Sequence, residues 1–155
     1  MYGQLTIPYR AYLGILEPDK PITERGVAAP RTYAKFPIIN NGQVPARITS
    51  IDAEIIMQER SGTELWRRSF TQEIVDGEIP PGKISSYAVT IYWPPDMPNA
   101  DQIIVSVAIV YDPGFEEIAK DRMNFVRVFS HHLQDWTRAY RGTEIDLTKS
   151  LKTPD

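Results

Sequence analysis

The chain has no cysteine in its 155 residues. That removes disulfides, cysteine-ligated zinc and thiol catalysis together. It suits either redox environment, so compartment is left open. Basic charge is also short: Lys and Arg number 17 against 20 Asp and Glu, a net charge of −3. A nucleic-acid partner calls for a concentrated basic surface, and none is expected here. Arg67-Arg68 and the Arg122/Arg127 pair read as solvated surface. No run of about 18 apolar residues occurs, so no membrane-spanning segment is expected. The opening MYGQLTIPYR lacks the charged and apolar regions of a signal peptide. On these grounds the chain as given is expected to be soluble.

Catalytic motifs are equally scarce. The two histidines, His131 and His132, are adjacent. Neighbours on a strand point to opposite faces and do not converge on one metal. G-x-S-x-G, H-E-x-x-H and the P-loop are all absent from the sequence. Glu116-Glu117 sits in the turn DPGFEEIAKD and reads as a solvated hairpin tip rather than an acid/base pair. Asp112, Glu116, Glu117 and Asp121 are oxygen donors of the kind calcium takes, but without EF-hand spacing. No metal, no cofactor and no enzymatic activity are therefore expected. A carboxylate enzyme ranks third among the functional readings.

What is present is period two. Hydrophobic residues make up 42% and charged residues 24%, ordinary globular usage, and 13 prolines would break a helical protein of this length. Clusters of Pro, Gly and Asn cut the chain at 18–21, 40–45, 60–63, 80–82, 94–99 and 112–114. Between the cuts, apolar residues alternate: Ile51, Ala53, Ile55 and Met57; Tyr87, Val89, Ile91 and Trp93; Ile103, Val105, Val107, Ile109 and Tyr111. One buried and one wet face is how antiparallel strands read. Seven strands are expected, over Arg10–Glu17, Arg31–Asn40, Ala46–Glu59, Glu64–Ile74, Lys83–Trp93, Ile103–Asp112 and Met123–His131. That number suggests an all-β, immunoglobulin-like antiparallel β-sandwich. Residues 1–9 read as a lead-in or linker remnant, 10–132 as the sandwich and 133–155 as a tail. Leu133, Trp136 and Tyr140 at helical spacing predict a short helical turn at the start of that tail. Asn40-Asn41-Gly42 interrupts two extended runs, and positive φ at Asn41-Gly42 is the expected way to reverse the chain.

The order RAYLGI (Arg10–Ile15), NNGQVPARI (Asn40–Ile48), PPGK (Pro80–Lys83) and VYD (Val110–Asp112) resembles a group of uncharacterised, often membrane-tethered bacterial proteins. In those proteins a membrane helix and short linker precede the Arg-Ala-Tyr strand. The resemblance implies an immunoglobulin-like domain and an anchored setting, and no catalytic residue. The chain departs from them in having no such helix, and its tail has no counterpart in them. The expected role is a non-enzymatic interaction or accessory domain, its partner a protein, a second copy of the chain included. The alternative is a carbohydrate- or small-ligand-binding sandwich using exposed aromatics. Candidate binding residues are Trp66, Tyr92, Pro94 and Pro95, with a sheet edge as the competing surface. For Trp66 the competing reading is packing beneath a long loop.

The shared phase places Phe36, Ile38, Ile51, Ile55, Val89, Ile91, Val105, Val107 and Ile109 in the core. Val107→Ala is expected to cost roughly 1–3 kcal/mol, from lost transfer energy plus a cavity. Urea unfolding measures it, and an unchanged midpoint would show the phase misread.

Overall fold

A computed structural model describes residues 10–26, 28–85, 89–95, 97, 99–114 and 119–138. Ten strands follow one another: β1 Leu13–Ile15, β2 Ile22–Glu24, β3 Arg31–Phe36, β4 Ile38–Asn40, β5 Ala46–Gln58, β6 Glu64–Ile79, β7 Val89–Trp93, β8 Gln102–Asp112, β9 Asp121–Ser130 and β10 Asp135–Arg138. One sheet has the order β10-β9-β8-β5-β6 and a second the order β2-β3-β7, while β1 pairs with β4. Every pairing is antiparallel. The protein is an all-β sandwich, as the alternation required.

Only Pro37 separates β3 from β4, and proline has no N–H to give a ladder. The two strands are one extended run with a flaw in it. On one side β4 meets β1; on the other, Ser85 N–H donates to Ile38 O at 2.7 Å and Asn40 N–H to Lys83 O at 3.2 Å. The smaller layer is therefore three segments wide along its length, and it lies against a layer of five.

All nine core residues named from the sequence are buried, at 8% exposure or less. An aromatic cluster completes the interior. The Trp136 ring meets Phe36, Phe129 and Trp93 edge-on, with centroids 5.2, 5.3 and 6.4 Å away. Trp136 also overturns one expectation, because no helical turn forms from Leu133. Gln134 takes a left-handed φ of 53°, its N–H donates to Ser130 O at 2.8 Å, and the chain reverses into β10. Leu133 is 63% exposed at that turn, while Trp136, on the strand, is 7% exposed and donates its indole N–H to Asp19 O. Tyr140 lies outside the described residues.

Other boundaries shift for local reasons. β6 runs on past Ile74 to Ile79, because a register shift between Ile48 and Ser50 lets Ala46, Arg47 and Ile48 pair with Ile79, Glu78 and Gly77. The described part of β7 is Val89–Trp93, Tyr87 lies outside the described residues, and Ile84 makes an isolated bridge to Ile39. β2 and β10, at three and four residues, are too short to show a period. Arg127, read as surface, is 9% exposed: it shares the inward row of Val105, and its guanidinium lies 5.8 Å from the Phe125 ring centroid. The outward face of the larger sheet is not uniformly wet either, since Ile56, Ile104 and Val128 form a second buried row across β5, β8 and β9.

The Asn-Asn-Gly break is built around Asn40, which is wholly buried. Its side-chain amide donates to Val44 O at 2.8 Å and Ile79 O at 3.0 Å. Its Oδ1 accepts from Gly42 N–H at 2.9 Å and Tyr12 N–H at 3.2 Å. Gly42 is not left-handed, which corrects the expected reason for it. The need is space: a Cβ there would lie 2.2 Å from Arg10 O and 2.5 Å from Ala11 Cα. The chain entering β1 passes directly over the turn.

Asn40→Ala removes the partner of four backbone groups, Ile79 O buried and the other three part-buried, and is expected to cost about 2–4 kcal/mol. Gly42→Ala is expected to destabilise as well, by pushing residues 10–12 off the turn. Denaturant midpoints check both, and wild-type values would remove the turn from its place in the fold.

Candidate functional site

The larger sheet overhangs the smaller one at β6. This strand is 16 residues long and, among the described residues, pairs with β5 alone. Trp66, Arg68, Phe70 and Gln72 oppose the inward residues Met57, Ile55, Ala53 and Ile51. Even so, Arg68 and Gln72 are exposed, and Trp66 and Phe70 are only half-buried against the core. The backbone groups of β6 that face away from β5 have no strand to meet among the described residues. Charge lines the outward side. Arg67 bonds Glu64 at 2.7 Å and Glu54 at 2.9 Å, and the bond to Glu64, ahead of the Glu54 charge, raises its pKa above the ordinary value.

Trp66 and Tyr92 do not share a surface. Trp66 is on the inward side of β6, opposite Met57 and packed against the core, whereas Tyr92 points outward from β7 between buried Ile91 and Trp93. The Tyr92 ring is not an open platform. The Arg31 guanidinium lies 4.4 Å from its centroid, and Tyr33 is tilted against it at 5.8 Å. Pro94 and Pro95 follow β7, and Pro95 turns into a cleft of about 630 Å³ at the end of the sandwich.

Trp93, Met97, Asn99, His131 and Gln134 also line that cleft. Asn99 and Gln134, with φ of 68° and 53°, are the left-handed non-glycine residues among those described. Both sit in tight turns: Ala100 N–H closes on Met97 O, and the Gln134 side chain donates to His131 O at 2.7 Å. Thr23 and Thr32 share a hydrogen bond of 2.9 Å on the opposite wall. The lining combines apolar side chains with polar ones and one carboxylate, Asp101. No described lining residue sets a nucleophile beside a base.

The Asp112–Asp121 hairpin holds no cation cage among the described residues, and Glu116 and Glu117 lie outside them. Asp112 accepts from Gly114 N–H at 2.9 Å. Asp121 is paired with Arg10 and accepts from the Tyr111 hydroxyl at 3.1 Å. That hydroxyl in turn accepts from Leu13 N–H. Asp121 thus holds the chain's entry to β9, while Asp112 closes its own turn. His131 and His132 are exposed, and among the described residues no metal-binding group includes them. Among the described residues no helix is long and apolar enough to cross a membrane.

Sequence reasoning singled out Trp66 but missed Phe70, which shares its face four residues on. The signal was there in the alternation of Trp66, Arg68 and Phe70, masked by the arginines. Of the cleft, only Pro95 was singled out as a candidate binding residue.

No family model matches the chain. No curated protein matches it in sequence. Among solved structures there is a weak likeness to a β-glucosidase, EmGH1, from Erythrobacter marinus, at 14% identity and a TM-score of 0.36. It covers 74% of this chain and 15% of that one, so the chain spans a small part of the enzyme's length. At that level neither fold nor activity carries across.

Burial pushes the Tyr111 phenol above its ordinary pKa of 10.0. The unfolded chain then loses this proton first, so the contribution to stability is full below about pH 10 and falls as pH rises through the folded value. Tyr111→Phe is expected to lower stability at neutral pH and to flatten its alkaline decline. Urea midpoints between neutral and strongly alkaline pH measure this, and parallel profiles would contradict it.

Proposed function

We propose that this is a non-enzymatic interaction domain that takes up an extended protein segment by strand addition at β6. The observation that carries the reading is the strand itself: 16 residues, proline-free, and paired on one side among the described residues. Main-chain groups along such an edge supply binding, and side chains beside it supply selectivity. Trp66 and Phe70 offer that second element, half-buried residues that an added strand would cover. An immunoglobulin-like arrangement fits the order of three segments against five, with the chain crossing between layers after β4, β6 and β7. The bacterial and membrane-tethered setting rests on the resemblance of the Arg10–Ile15 and Asn40–Ile48 motifs.

A second reading is small-ligand binding, favoured by the cleft with its two left-handed turn residues. It differs from the sugar-platform form of that idea, since Arg31 covers a face of Tyr92.

Selection from a displayed library of short random peptides separates the two. The expected binders protect backbone amides within Glu64–Glu73 from hydrogen exchange. Trp66→Ala is expected to weaken them at least about tenfold, and Tyr92→Ala to leave them unchanged. Protection confined to Pro95–Asp101 and His131–Gln134 would favour the cleft, and no protection along β6 would overturn the edge.

A further inference from the structure

We propose that the segment β6 takes up is β6 of a second copy of this chain, antiparallel, about a two-fold axis at Phe70. This rests on the strand-addition reading and names its partner. The ladder of β6 with β5 is regular from Trp66 to Glu73 and is bounded by register shifts on both sides. A partner strand therefore has one straight stretch of edge to use. A two-fold axis normal to the sheet keeps inward residues opposite inward ones, because a slip of one residue would exchange the faces.

Opposition to β5 assigns the faces. Arg67, Ser69, Thr71 and Glu73 oppose Ile56, Glu54, Asp52 and Ser50 on the outward side, while Arg68, Phe70 and Gln72 are inward. With the axis at Phe70, the outward row sets Arg67 of each copy against Glu73 of the other, and Ser69 against Thr71. The inward row sets Phe70 against Phe70 and Arg68 against Gln72. Opposite charges, hydroxyl pairs and facing rings are favourable cross-strand neighbours. The complementarity belongs to this register. Moving the axis to Ser69 sets Arg68 against the ring, moving it to Thr71 sets Gln72 there, and both moves lose the two ion pairs.

The geometry is compatible with the bonds already present. Arg67 holds Glu64 through Nε and Nη2 and Glu54 through Nη1 within its own chain, so Glu73 of the other copy would share that guanidinium with them. Glu73 is exposed. A half-buried Phe70 on each side becomes a buried pair. The contact is isologous, so it closes at two copies and does not propagate. Propagation is the hazard of an uncovered edge, and a two-fold partner removes it.

Sedimentation of the full chain is the first test: the expected species is a dimer of the 17.7 kDa chain. Arg67→Glu and Glu73→Arg are each expected to sediment as monomers. Their mixture is expected to restore the dimer, since each reversal complements the other. Because the chain has no cysteine, register is read separately by disulfide trapping. Chains carrying Ser69→Cys and Thr71→Cys, mixed with oxidised glutathione, are expected to cross-link to each other, and neither to itself. Facing residues lie about 4.5–5.5 Å apart at Cα, within disulfide range, and diagonal ones do not. This trap still decides the matter if a charge reversal unfolds the chain.

A monomeric wild type, a dimer indifferent to both reversals, or equal trapping of each cysteine chain with itself would overturn the proposal. If the wild type is monomeric while peptides still protect β6, the second copy is wrong and strand addition stands. If β6 is protected by neither, both fall.

Discussion

Four hydrogen bonds from one buried amide hold this sandwich at its entry. Asn40 is at the end of β4, where the chain must leave the smaller sheet, turn, and enter the longest ladder of the larger one. A buried side-chain amide left without partners costs enough to unfold a marginal domain. Here both its hydrogens and both its oxygen sites are used, on Val44, Ile79, Gly42 and Tyr12. Those partners belong to the turn, the last residue of β6, the turn again, and the lead into β1. One residue thus ties together the ends of three strands in two layers. The rest of the entry depends on that tie. Gln43 N–H reaches Arg10 O, Ala11 N–H reaches Pro113 O, and Asp121 pairs with Arg10.

The fold was largely legible because burial on one face imposes period two, and the core phase from Phe36 to Ile109 followed from that alone. The illegible parts have physical causes. β2 and β10 span no more than two full periods. Leu133, Trp136 and Tyr140 match a helical template by spacing, but Gln134 adopts a conformation no helix contains, so the match was accidental. Ile56, Ile104 and Val128 form a buried row on a face that Asp52 and Glu54 mark as wet. Gly42 was assigned the right importance for the wrong reason, since close approach of another segment leaves no trace in local sequence. Arg127 was misplaced because an arginine can lie along an aromatic ring inside a sheet margin.

The candidate site was legible only in fragments. Trp66 could be flagged as an aromatic beside two arginines, yet its meaning depends on β6 being an edge. Which strand ends a sheet is a property of tertiary order, not of any window of residues. Tyr92 shows the converse: its alternation correctly puts it outside, and only the fold reveals that Arg31 covers its face. Pro95 reached a site, but as one wall of a cleft whose other walls come from β3, β5, β8 and the β9–β10 turn.

The position of the Asn40 tie has a mechanical consequence. Tension applied to the chain at Arg10 enters the smaller layer and the β8–β9 hairpin, through Ala11–Pro113, Gln43–Arg10, Asn41–Tyr12 and Tyr12–Asn40 contacts. The run from Glu64 to Glu73 lies toward the other end of β6, across the Ile48–Ser50 register shift from Ile79, the β6 residue that Asn40 holds. A pull strong enough to strain the entry would therefore be borne by short loops and one amide before any shear reached the free margin. The domain can be tugged at one corner while its opposite border keeps its shape.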